Sequence, residues 1–281
     1  MIQPIQSEAQ LLADIASISD LDTRLHVWWL GQSGFLLKHE GSLLLLDPYL
    51  SDSLTEKYAA TDKPHIRMTA RCLAPEKLHG IRLVTASHIH TDHLDAATLR
   101  PLAASNPGLK LLLPHPILSE ARQRLADAEI EIIGLDAGER FSQDGWTIIG
   151  VPSAHNDLKK DAEGRFHHLG FIIQRGGYCL YHSGDTLWHQ ELLQHLKPHH
   201  FDLMLLPING NKPERRVAGN LNGTEAATLA KQCAAKLVVP CHYDMFTFNT
   251  VTTDEFEESC RQLAQPLKIM KCGERLIVDR L

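Results

Sequence analysis

The sequence predicts an α/β fold in which sheets pack face to face with helices on their outer sides, and three observations carry that prediction. The first fifth of the chain holds three short β-rich runs parted by glycine turns. Strand-like and helical patterns alternate after it, and no linker, charge run or repeat divides the 281 residues. A single domain over residues 1–281 is therefore expected. A content of 43% hydrophobic and 22% charged residues excludes a disordered or fibrous chain.

In order along the chain, residues 25–30, 34–39 and 42–47 are short apolar runs with turns at Gly31 and Gly41, the pattern of an antiparallel meander. Apolar runs at 81–87 and 110–113 each lead into a helical pattern, at 96–104 and 117–128. Strands follow at 131–135, 146–151, 169–174 and 178–182. A helix at 188–196, a strand at 203–206, a helix at 224–234, a strand at 236–241 and a helix at 254–263 continue the alternation. Residues 267–279 are expected to close a sheet as one or two strands. Three polar segments, 51–80, 152–168 and 207–223, exceed ordinary loop length. Loops of that kind are commonly functional, so these are expected to wall a pocket.

With 28 Lys+Arg against 34 Asp+Glu the formal charge is −6, which disfavours nucleic acid as a partner, since phosphates call for a clustered positive excess. Cys72, Cys179, Cys233, Cys241, Cys260 and Cys272 form no C-x-x-C pair, so neither a zinc ribbon nor a disulfide framework is expected. The amino-terminal stretch carries acids early and lacks a basic n-region, unlike a signal peptide. The longest apolar runs fall far short of the ~20 residues of a membrane-spanning helix. A cytoplasmic protein without a membrane partner is the expectation.

The unusual count is histidine, at 17. Directly after the run at 81–87, residues 87–95 read S-H-I-H-T-D-H-L-D. Residues two apart in an extended segment share a side, so His88 and His90 can present imidazoles to one metal ion. Asp92 and His93, where the chain turns toward a helix, can reach a second. Imidazole and carboxylate are ligands that suit Zn²⁺. A polar strand end whose histidines only hydrogen-bond is the plainer alternative, and four ligand-type residues within six positions speak against it. His155, Asp185 and His242 each lie just past an apolar run, where side chains from several strands can converge. Singly each reads as structural; together with the first motif they read as a ligand set. Asp95 is either a partner for a ligand imidazole or the N-cap of the next helix, and Asp47, before Pro48, either such a partner or a turn residue.

The H-x-H-x-D-H run, with separate His, Asp and His at strand ends, resembles the metallo-β-lactamase superfamily, which implies a four-layer αββα sandwich. More narrowly, W-W-L-G-Q-S-G-F-L-L-K, L-L-L-D-P-Y-L, Y-H-S-G-D-T and V-V-P-C-H-Y-D resemble its L-ascorbate-6-phosphate lactonase-like branch. The N-acyl-phosphatidylethanolamine phospholipase D-like branch shares the W-W-L-G and D-P elements. The resemblance spans roughly residues 27–244. It implies that His88, His90 and His155 hold one divalent ion, that Asp92, His93 and His242 hold a second, and that Asp185 bridges both. The lactonase branch does not always keep a histidine where this chain has His155, and the full set here favours two ions. Zn²⁺ follows from ligand type and Mn²⁺ from the lactonase resemblance, which also implies a homo-oligomer.

A two-metal centre that activates a bridging hydroxide performs hydrolysis. The resemblance thus implies a metal-dependent hydrolase opening the lactone of a small sugar acid or phosphorylated sugar acid, with Asp92 and Asp185 as catalytic residues. A phosphodiesterase, acting on a small phosphodiester or like the phospholipase D branch, is the alternative, because the same two-metal clamp serves it. A di-iron redox protein would call for more carboxylates and a flavin partner domain, and a non-catalytic binding module would be expected to have lost ligands. An anionic small-molecule substrate is expected to meet Asn209, Asn211, Lys212, Arg215 and Arg216 of P-I-N-G-N-K-P-E-R-R. His167, His168 and His189 are further pocket or general-acid candidates. For each of these side chains a solvated surface position is the plainer reading, and His182 is expected to pack beneath the site.

Overall fold

A computed structural model describes residues 1–279. Its first elements are α1 (Glu8–Ser17), β1 (Leu25–Gly31), β2 (Gly34–His39), β3 (Ser42–Leu46), α2 (Ser53–Tyr58), β4 (Ile81–Thr85), α3 (Ala96–Ser105), β5 (Lys110–Pro114), α4 (Leu118–Arg124) and β6 (Glu131–Leu135). There follow β7 (Arg140–Gln143), β8 (Trp146–Pro152), β9 (Leu169–Arg175), β10 (Tyr178–His182), α5 (Leu192–Leu196), β11 (Leu203–Pro207), α6 (Gly223–Gln232), β12 (Val238–Cys241), α7 (Asp254–Leu263) and β13 (Arg275–Val278).

Alternate positions of the early strands feed two different cores. Leu25, Val27 and Trp29 of β1 join a core shared with the second sheet, whereas Trp28 and Leu30 join one beneath helices. Phe35, Leu37, Leu44 and Leu46 divide in the same way from Leu36 and Leu45 along β2 and β3. A strand covered on both faces has no solvent side to alternate with, which is why these runs are nearly continuous in apolar residues. Seven strands form one sheet in the order β13-β1-β2-β3-β4-β5-β6, and six form the other in the order β12-β11-β10-β9-β8-β7. Leu11 and Ile15 of α1, Leu99 and Leu102 of α3 and Ala121 of α4 cover the first sheet. Leu192 of α5, Leu229 of α6 and Phe256 of α7 belong with the core of the second. The result is the αββα sandwich that the sequence predicts.

Three elements have no counterpart in the sequence expectation. α1 is held by reciprocal capping bonds, Gln10 N donating to Ser7 Oγ and Ser7 N to Gln10 Oε1, but it buries just Leu11 and Ile15, with Leu12 partly buried against the same core. α2 has six residues, and β7 is a four-residue edge strand with no buried position. Two expected helices are shorter. The one expected at 188–196 begins at Leu192, because Leu187 N donates to Ala154 O and keeps that stretch extended. The one expected at 117–128 ends at Arg124. Among the described residues no helix is long and apolar enough to cross a membrane.

Topology gathers the candidate ligands. β8 and β10 both run antiparallel to β9, so they share a direction, and β11 and β12 are parallel to β10. β3 and β4 are likewise parallel to each other. His88 follows β4, His155 follows β8, Asp185 follows β10 and His242 follows β12. Each therefore leaves the carboxyl end of its strand, where open α/β sheets form their binding crevices.

Candidate metal centre

His88, His90 and His155 form one group of converging donors, and Asp92, His93, Asp185 and His242 form another. In the first, His90 Nδ1 lies 2.9 Å from His88 Nε2 and 3.1 Å from His155 Nε2. In the second, Asp185 Oδ1 is 3.4 Å from His93 Nε2, and Asp185 Oδ2 is 3.4 Å from His242 Nε2. Asp185 Oδ2 also stands 3.7 Å from His155 Nε2, so one carboxylate faces both groups. Ligand atoms ~2.0–2.1 Å from a tetrahedral ion sit about 3.3 Å from one another, the scale of these separations. His93 Nε2 and Asp185 Oδ1 are buried without any hydrogen bond. Buried polar atoms are nearly always satisfied, and apart from facing each other at 3.4 Å these two have no partner; a cation would satisfy both, so the donor set is able to bind metal ions.

The groups behind the donors fix their orientation. His93 Nδ1 donates to the buried Asp47 Oδ2 at 2.7 Å, and His155 Nδ1 to Gly219 O at 3.0 Å, which leaves Nε2 of each ring facing the centre. Gln32 Nε2 donates to Asp92 Oδ2 at 2.8 Å and lies 3.0 Å from His242 Nε2. Gln32 lies within the W-W-L-G-Q-S-G run, but an amide is not a ligand-type side chain, and only the folded chain brings it to the donors. Gln32, Asp47 and His242 all have left-handed backbones, with φ of 51°, 39° and 64°. Such conformations cost energy in non-glycine residues and concentrate at functional sites. Gly184 has φ of 56°, and a Cβ there would meet Ser87 Oγ at 2.6 Å, so only glycine lets Asp185 approach the motif.

Electrostatics separates the two groups. Burial holds His88 well below the ordinary imidazole range, with His93, His90 and His155 adding to the effect. Burial likewise lowers His90, and brings His155 to about 4. In the second group burial alone would lower His93 and His242, but Asp185 and Asp92 outweigh it and raise both. Burial would raise Asp185, yet His242 and His93 hold it well below its usual range. The metal-free protein therefore keeps protons on His93 and His242 above pH 6.5, and an ion must expel them. Zinc affinity is expected to rise with pH from 6.5 upward through the raised values. Calorimetry at pH 7 in buffers of different ionisation enthalpy should detect net proton release on metal binding. Release of none would contradict this charge pattern.

The donors open into a cavity of about 590 Å³. Its walls include residues of all three long polar segments, among them Lys57, His65, Asn156 and Arg216. Of the residues expected to meet substrate, only Arg216 lines it. Asn209 is fully buried and bonds to Asn220 and Asn249, and Arg215 is spent on Asn209 O, Asn249 Oδ1 and Thr250 O. Both knit the loop together instead of facing the cavity. Asn211 and Lys212 are exposed and outside it. His189 lies outside it too, with Nε2 donating to Pro152 O at 3.1 Å. His168 lies beside the donors, its ring tilted by 55° and 5.6 Å from that of His88, and burial lowers it to about 3. His182 is buried beneath, with Nε2 donating to Ser33 O.

Asp95 caps α3, accepting from Ala97 N, and also accepts from Ser51, Ser53 and Thr98 hydroxyls. It touches no ligand imidazole, so the capping alternative holds. Asp95→Ala is expected to destabilise the protein by about 2–4 kcal/mol, since it removes a cap and strands buried hydroxyls. Urea unfolding measures this, and a change within about 0.5 kcal/mol would refute it.

A profile of the β-lactamase superfamily domain matches residues 43–243. A UPF0173 metal-dependent hydrolase of Carboxydothermus hydrogenoformans is 24% identical over 261 residues, 90% of this chain and 100% of that one. Among solved structures, an isothiocyanate hydrolase from Delia radicum gut bacteria has a TM-score of 0.71 at 20% identity, over 91% of this chain and 100% of that one. Igni18, a metallo hydrolase from Ignicoccus hospitalis, has a TM-score of 0.66 at 23% identity, over 92% and 100%. The family match runs from β3 to the residue after His242, and so covers every candidate ligand. With the two-sheet sandwich, it shows that the chain belongs to the β-lactamase superfamily, in its metallo-β-lactamase fold.

Proposed function

We propose that the protein is a metal-dependent hydrolase of a small electrophile, and that its finer activity is opening the lactone of a sugar acid or phosphorylated sugar acid. The observation that carries the hydrolase reading is the buried meeting of His93 Nε2 and Asp185 Oδ1 without hydrogen bonds, at the junction of two donor groups. His88, His90 and His155 would hold one ion, Asp92, His93 and His242 a second, with Asp185 between them. Divalent ions there supply Lewis acidity toward a carbonyl or phosphoryl group and lower the pKa of water. The chain does the rest. Asp47 and Gly219 O hold the His93 and His155 rings in place, and Gln32 fixes one oxygen of Asp92. A cavity of about 590 Å³ suits a metabolite. The lactone reading rests on the sequence elements shared with the lactonase-like branch.

Protein purified without chelator is expected to carry about two ions per chain by mass spectrometry of metals, and stripping them should abolish turnover. No bound metal would sink the dinuclear reading. A screen of sugar lactones, their phosphates and small phosphodiesters against Mn²⁺- and Zn²⁺-loaded protein tests the substrate. Turnover of phosphodiesters with lactones untouched would replace the lactone reading.

A further inference from the structure

Charges around the cavity are compensated unevenly. Arg124 is committed to Glu120 at 2.8 Å and to the carbonyls of Ile89 and Leu94. Arg216 pairs with Asp62. Lys63 Nζ donates to Arg216 O at 2.6 Å and has no carboxylate partner among the described residues. Lys57 has none either; its ammonium stands 5.2 Å from the Tyr58 ring centroid. Both lysines line the cavity, beside Tyr58, His65 and Phe246. Two uncompensated ammonium groups at the mouth of one cavity stand out in a chain of net charge −6. The carboxylates on the same cavity are spent, Glu120 on Arg124 and Asp92 and Asp185 among the donors, so the unpaired positive charge beside the 53–65 segment concentrates anionic ligands there.

We propose that Lys57, assisted by Lys63, anchors a carboxylate or phosphate on the substrate, so that the centre acts on electrophiles carrying an anionic group away from the reacting bond. This rests on the hydrolase reading above and places recognition on the 53–65 segment, which touches the 207–223 loop where Lys63 meets Arg216 O and Asp62 pairs with Arg216. Aromatic side chains beside the lysines accommodate the carbon frame between anion and electrophile.

The test compares mono-4-nitrophenyl glutarate with its neutral methyl ester on metal-loaded protein. The wild type is expected to favour the anionic ester, and Lys57→Gln should lower the anionic-to-neutral ratio of kcat/KM about fivefold to tenfold, chiefly through KM. Lys57→Glu should invert the ratio, and Lys57→Arg should retain it. Calorimetric titration with glutarate gives a readout independent of turnover, with affinity expected to fall by a similar factor in Lys57→Gln and further in the variant that also carries Lys63→Gln. An unchanged ratio and unchanged glutarate affinity in both variants would overturn the assignment while leaving hydrolysis standing. If wild-type protein with ions bound cleaves neither ester, that counts against the hydrolase reading, and the glutarate titration alone decides for or against Lys57.

Discussion

Replacing Asp185 with alanine is expected to lower kcat/KM by at least about 10³-fold and to reduce bound metal from two ions per chain to one or none. Asp185 faces both groups, since its two oxygens lie 3.4 Å from His93 Nε2 and from His242 Nε2, and one of them 3.7 Å from His155 Nε2. Asp185→Asn separates charge from shape. The amide fits the same space beside Gly184, but it cannot neutralise two cations. It also removes the largest influence raising His93 and His242, so fewer protons should leave when metal binds. Because the folded protein holds Asp185 below its ordinary 3.8, its contribution to metal-free stability is present above that pH and fades as pH falls through the lower folded value. The thermal midpoints of metal-free wild type and Asp185→Asn should therefore converge in acid. Unimpaired turnover in Asp185→Ala would remove this residue from the site.

How far the sequence reached depends on whether a feature is local. The run from His88 to His93 is legible because four ligand-type residues fall within six positions, although β4 ends at Thr85 and the run lies in bends and a turn, not in the extended segment the sequence leads one to expect. His155, Asp185 and His242 are legible only because each ends an apolar run, and the topology then brings those strand ends together. Asn209 and Arg215 show the opposite case. Their composition suits an anion, but a sequence does not reveal where a polar group is spent, and here both are consumed by Asn249, Asn220 and Thr250. Lys57 belongs to no motif, and Gln32 sits in the W-W-L-G-Q-S-G run without a ligand-type side chain to single it out; a six-residue helix and a left-handed turn bring them to the cavity. β7 stayed hidden because an exposed edge strand needs no apolar alternation, and α1 because two buried residues make too narrow a stripe.

Asp47→Ala is expected to cost about 3–5 kcal/mol of stability and 10–100-fold in zinc affinity. The carboxylate is fully buried and accepts from Thr85 Oγ1 at 2.9 Å, from Ser87 N at 3.1 Å and from His93 Nδ1 at 2.7 Å. Alanine would strand those donors and would also strain the left-handed backbone, φ 39°, which Asp and Asn tolerate best. Asp47→Asn isolates the positioning role. Asparagine keeps the volume and the backbone, yet it carries no charge to stabilise the His93 ring once metal draws electron density from Nε2. Burial would raise Asp47, but His93 and then His182 outweigh it, so its stabilisation is present above pH 3.8 and is lost as pH falls through the lowered folded value. Urea unfolding of metal-free Asp47→Asn should therefore differ from wild type at pH 7 and approach it in strong acid. Zinc competition titrations are the decisive measurement, because a merely structural carboxylate would change unfolding without changing metal affinity. Equal zinc affinity in Asp47→Asn and wild type would mean that Ser87, 3.1 Å from His93 Nδ1, suffices to hold that ring.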